Sequence, residues 1–162
     1  MSAETIVNMA ETAWKIIESG APSAEITTAT ANAVPQVDDW QSLTNAVGPM
    51  WVSRRRKIRF KWPLDDYLHV DVTMVLKWDY GARYHGGGAY IPNVWVEVPE
   101  CFVGWPWDVN VNLTARNPTN ANGSGEPPLA RLPVTLSGTI ASPAESYTVQ
   151  YGFELFGDGN YE

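Results

Sequence analysis

With 162 residues, 44% of them hydrophobic and 18% charged, the chain has enough apolar material for one buried core and too few charges for a disordered polymer. Eighteen acids against eleven bases give a net charge of −7 and a pI near 4.8, which argues against nucleic acid as a partner, since phosphate binding rests on a wide basic field. A single cysteine, Cys101, excludes an intrachain disulfide, and no apolar run reaches the roughly 18 residues of a spanning helix.

Residues 1–20 read as an amphipathic helix. Ser2 can cap it, and Ile6, Met9, Ala10, Ala13, Trp14, Ile16 and Ile17 recur at three-four spacing, with Glu4, Glu11, Lys15 and Glu18 on the other face. Gly20 and Pro22 end it. Residues 24–49 form an extended segment (Ala24 to Ala33) and a connector with a short turn of helix around Asp39 to Leu43. From there to 156 the period is two. Strands are predicted over Trp51 to Trp62, Tyr67 to Tyr80, Tyr90 to Val98, Trp107 to Ala115, Leu129 to Ile140 and Tyr147 to Phe156, bounded by Gly, Pro and Asn clusters. Residues 117–128 read as a long loop and 157–162 as a tail. The expected fold is all-β: one domain over 1–162, an antiparallel β-sandwich of about six to eight strands preceded by the helix. That helix would pack on the sandwich or on a second copy, which makes a homo-oligomer one expectation.

Six of the eleven basic residues lie between positions 54 and 61 with no acid among them. Arg54, Arg55, Arg56 and Lys57 could attract lipid headgroups or another anionic surface. They could equally protect a sheet edge, or pair with Asp65, Asp66, Asp71 or Asp79 on the next strand. Lys57, Arg59 and Lys61 fit the outer phase of a strand that hides Ile58, Phe60 and Trp62. Eight Trp and seven Tyr are present. Trp62, Trp78, Tyr147 and Tyr151 fit core phases, whereas Trp40, Tyr80, Tyr84, Tyr90, Trp105 and Trp107 fall at strand ends or in loops. Gly104-Trp105-Pro106-Trp107 is a turn that cannot easily bury both indoles. Exposed aromatics of this kind sit at a lipid interface or stack on sugars.

His69, Asp71 and His85 carry a weak metal signal, and Asp108, Asn110 and Asn112 read as a polar ladder without the turn glycine or terminal Glu of a calcium loop. The ligand set is therefore assigned to aromatics and bases alone, with no metal and no cofactor. No nucleophile elbow, phosphate loop or cysteine pair is present, so the chain reads as a binding protein and not an enzyme.

A small, acidic, tryptophan-rich sandwich without disulfides resembles in outline the small cytolysins and lectins of bacteria and fungi, the actinoporin-like and aegerolysin groups. The likeness is one of architecture and transfers no residue. The expected function is a non-enzymatic membrane-surface binder, such as a cytolysin, toxin or toxin component. It would use Trp105, Trp107, Tyr80, Tyr84 and Tyr90 for contact and Arg54 to Lys57 for headgroup attraction. The alternatives are a lectin using the same aromatics with Asp108, Asn110 or Asn112, and a structural or assembly subunit. The start Met1-Ser2-Ala3-Glu4 shows no secretory pattern, so synthesis in the cytoplasm with release to act outside is expected.

Overall fold

Alternation of buried and more exposed residues runs through 69–79, 108–114 and 130–141. The computed structural model describes residues 5–10, 14–18, 24–28, 30–62, 65–123 and 125–162, with the backbone course alone for 14–18, 24–28, 60–62 and 65–68. Within these the order is β1 (Ile6–Val7), β2 (Trp14–Glu18), β3 (Ala24–Thr28), β4 (Ala31–Pro35), a 3₁₀ turn (Trp40–Ser42), β5 (Val47–Trp62), β6 (Asp65–Tyr80), β7 (Ala82–Tyr84), β8 (Gly87–Val103), β9 (Asp108–Ala115), β10 (Thr119–Asn120), β11 (Ala130–Ala141) and β12 (Ser146–Phe156).

Two sheets result. Sheet A runs β1-β4-β8-β6-β5, with β7 folded onto β8. In sheet B, β11 lies between β12 and β9, β3 and β2 continue beyond β9, and β10 pairs with the first residues of β11. Among the described residues all ladders are antiparallel except β3 beside β9. Period-two patterning explains why the faces meet. Val70, Val72, Met74, Leu76 and Trp78 of β6 form one buried row, and Val109, Val111, Leu113, Leu132, Leu136 and Ile140 of sheet B form its counterpart. At Gly138 a Cβ would stand 3.5 Å from the Met74 Sδ, so the missing side chain lets the two layers approach there.

The structure corrects several expectations. The described parts of 1–20 contain two strands and no helix: Ile6 and Val7 pair with Pro35 and Val34, and Trp14–Glu18 pairs with Ala24–Thr28. Residues 1–4, 11–13, 19 and 20 lie outside the described residues. A three-four apolar pattern in so short a run also contains a period-two subset, and pairing partners elsewhere in the chain override local propensity. A self-association surface built on that helix loses its basis over these residues. The single extended segment expected at 24–33 is two strands serving different sheets, and the loop at 117–128 carries β10. The helical turn expected near 39–43 is present as the 3₁₀ turn. Residues 157–162 fold back along β12: the Glu154 and Glu162 backbones exchange N–H···O bonds, and the Tyr161 ring rests on Trp78 and Phe153.

Candidate functional site

The turn between β8 and β9 carries the most exposed aromatic side chain among the described residues. Trp105 is 81% exposed, while Trp107, two residues on, is 7% exposed. One geometry produces both. The Trp107 N–H donates to the Gly104 carbonyl at 2.9 Å, closing a four-residue turn with a cis Trp105–Pro106 bond, and the Gly104 N–H donates to the His69 carbonyl at 2.5 Å. The turn is thus fastened to β6 at one side. Trp107 then drops inward, stacks on Tyr147 at 6.0 Å and meets His69 at 6.2 Å, which leaves Trp105 as the projecting tip.

Around the tip stand Phe102, 52% exposed, and Tyr147, 40% exposed. Tyr147 was expected in the core. It lies instead near the sandwich end, its hydroxyl donating to Glu145 at 2.9 Å, which pushes the phenol pKa up. Phe102 escaped the sequence reading, although a large aromatic beside the solvent-phase Glu100 of β8 is a signal that could have been read.

Register divides the basic strand. Residues directly opposite in an antiparallel pair share a face. Arg54 and Arg56 oppose buried Met74 and Val72 and so belong to the inner phase, whereas Arg55 and Lys57 oppose Thr73 and Asp71 on the outer one. Arg54 lies over the rings of Tyr151 and Phe153 on the other sheet, at 5.6 and 5.1 Å, a cation–π contact that covers the open side between β5 and β12. Arg55 holds Asp71 through two bonds, Nε to Oδ1 at 2.8 Å and the second nitrogen to Oδ2 at 2.6 Å. This pairing, followed by the charges of Lys57 and Arg59, keeps the Asp71 carboxyl below the usual carboxylate range. Arg56 and Lys57 are exposed, and the Arg56 charge is felt at the Tyr147 phenol. Lys57, Asp71 and Phe102 form one register row across sheet A, so this part of β5 borders the tip.

The other expected site residues are elsewhere. His69 and Tyr80 are eleven residues apart on β6, roughly 35 Å at ~3.3 Å per residue, which puts the Trp105 turn and the Tyr80 group at opposite ends. Tyr90 is buried, 1% exposed, with its ring beside Gly88. Tyr80 is half-buried beneath the turn at Gly159. Tyr84 donates to Asp39 at 3.0 Å, which raises its pKa. Five aromatics expected to line one site are therefore split, and only Trp105 and Trp107 share a turn.

Asp108, Asn110 and Asn112 occupy the outer phase of β9, opposite Ala141, Thr139 and Ser137, while Trp107 points inward. One sugar cannot touch both that ladder and the Trp107 indole. His69 and His85 lie near opposite ends of β6, and among the described residues no group of three or more His, Cys, Asp or Glu is placed to hold a metal ion. Among them, too, no helix is long and apolar enough to cross a membrane.

Compared with known protein families, curated proteins and solved structures, the chain matches none.

Proposed function

We propose that the protein attaches peripherally to a membrane surface through the Trp105 turn. The observation that carries this reading is a tryptophan 81% exposed on a turn whose other tryptophan is buried as an anchor. An indole held in water has no packing role in its own fold. Its amphipathic ring suits the headgroup layer of a bilayer. Phe102 and Tyr147 widen the apolar contact, and Arg56 and Lys57 border it as cations that meet lipid phosphates, each contributing about 1 kcal/mol near an anionic surface. Arg54 and Arg55 are left out of this role by their contacts with Tyr151, Phe153 and Asp71. Tyr80, Tyr84 and Tyr90 are left out by position.

Co-sedimentation with phosphatidylcholine vesicles and with vesicles containing phosphatidylserine tests the reading. Binding should be measurable to both and stronger to the anionic set. Absence of binding to either removes the proposal. Dye release from the same vesicles would assign a cytolytic role, as a toxin or toxin component, beyond attachment.

A further inference from the structure

The outer face of sheet A carries a second aromatic surface, well away from the turn. Across the sheet, Trp51 of β5 opposes Lys77 of β6, and Lys77 opposes Trp95 of β8. All three share the solvent face, because their neighbours Val52, Leu76, Val94 and Val96 are buried. Trp51 is 60% exposed. In each strand the indole stands in the phase that alternation reserves for polar residues, so neither is there to fill the core.

Between the indoles the polar groups are fixed. The Trp95 Nε1–H donates to Glu97 Oε1 at 3.1 Å, and Lys77 Nζ pairs with Glu97 Oε2 at 2.7 Å. Glu97 is two residues beyond Trp95 on the same face, so the Trp95 ring is tethered along the strand rather than free to swing. The two strand steps from Trp51 to Trp95 span roughly 9.6 Å. This is a flat platform with two rings at its ends and an ammonium–carboxylate pair in the middle, beside Asn93, Ser53 and Asp79.

We infer that this platform is a binding site for a neutral, extended saccharide chain. The hydrogen-bearing face of a pyranose ring presents polarised C–H bonds to the negative face of an indole. A sugar hydroxyl donates and accepts at once, which suits an ammonium donor and a carboxylate acceptor set side by side. Two rings two strand steps apart are too widely spaced for a single sugar ring to cover both, so the ligand is an oligomer. Its neutrality follows from charge. The Lys77–Glu97 pair at the centre of the platform cancels, Asp79 beside it is an acid, Glu100 lies farther off beside Arg55, and the chain as a whole carries −7, so the platform offers an acidic polymer no net attraction.

The site does not depend on membrane attachment, and the test keeps the two apart. Affinity electrophoresis through gels containing soluble neutral polysaccharides (β-glucan, xylan, galactomannan, mannan), together with a neutral-glycan array, should show retention by at least one polymer. Trp51→Ala and Trp95→Ala should each weaken it about tenfold. Trp105→Ala should leave it unchanged. Vesicles carrying a neutral glycolipid form a further arm: binding to these and to no soluble polymer would overturn the polysaccharide assignment. Retention of none of the neutral glycans, or retention unaltered in the Trp51→Ala/Trp95→Ala double variant, would overturn the site. Circular dichroism of the Trp51→Ala variant, whose side chain is mostly in solvent, provides the folding control.

Discussion

Replacing Trp105 and Trp107 separately by alanine should split binding from stability. An aromatic side chain offers about 150–250 Å² of surface, so at 81% exposure Trp105 has ~160 Å² available for transfer from water. At ~25 cal/mol per Å², complete immersion would give ~4 kcal/mol. A turn resting at the headgroup layer immerses about half of that area, so Trp105→Ala should cost ~2 kcal/mol of partitioning, or about thirtyfold. The same substitution removes almost no contact within the fold, and its unfolding midpoint in urea should match the parent. Trp107→Ala is the converse. At 7% exposure, with Tyr147 and His69 against it, its loss should cost about 3–5 kcal/mol of folding stability. Vesicle co-sedimentation and urea unfolding on both variants decide the matter. If Trp105→Ala partitions like the parent, the tip is not the contact. If it unfolds as early as Trp107→Ala, the division of labour within the turn is wrong.

Gly159 has φ +91°, and a Cβ added there would stand only 2.7 Å from Tyr80 Cε2, so Gly159→Ala should lose ~1–3 kcal/mol in urea unfolding; an unchanged midpoint would mean Tyr80 is not seated beneath that turn. Burial raises the Asp79 pKa, so the fold favours its neutral form: the associated stability is present below the unfolded value of about 3.9 and lost as pH rises through the folded one. Asp79→Asn should therefore raise Tm at pH 7 and converge with the parent near pH 3, and equal Tm values at pH 7 would refute this. Asp71 has the opposite sign. Its pKa is depressed by the Arg55 hydrogen bonds, so its contribution is present above about pH 4 and lost as pH falls through the lower folded value. In Arg55→Gln the Asp71 carboxyl, followed by NMR, should titrate closer to its ordinary value; no movement would assign the depression to Lys57 and Arg59.

Much of the fold was legible because a two-residue period leaves little freedom over long runs. The β6 alternation from Val70 to Trp78 was read correctly as one buried row, since each of its members has 1% exposure or less. Where the chain is cut into five-residue strands the same logic fails. Trp14-Lys15-Ile16-Ile17-Glu18 satisfies a helical stripe as well as a strand, and only its pairing with Ala24–Thr28, a contact no local pattern announces, decides between them. The candidate site was half legible. Sequence showed that one indole of the Trp105 turn must be exposed but not which one, because that depends on the bond from Gly104 to His69, far away in the chain. The gathering of Tyr80, Tyr84 and Tyr90 with the tryptophans failed because position along a strand, and not residue type, determines which end of a sandwich a side chain occupies.

The basic run on β5 shows how one stretch of charge can serve several ends. β5 is an edge strand of sheet A, and its inner phase would be an open apolar seam between the sheets. An inward-facing charge on such an edge resists addition of another strand. Arg54 fills that position and stays solvated at its rim while its guanidinium covers Tyr151 and Phe153. Arg55 is neutralised by Asp71, so it adds little to the long-range field. Besides these, Arg56, Lys57 and Arg59 are exposed on the part of β5 toward the Trp105 turn, and the attraction of such charges to an anionic surface weakens beyond a Debye length of about 8 Å at physiological salt. Charge of that size can orient a protein of net charge −7 toward a bilayer, turn first, but cannot hold it there without the indole. Under the membrane-attachment proposal, the aromatic tip and the exposed cations of β5 would act together, charge setting the approach and Trp105 supplying the grip.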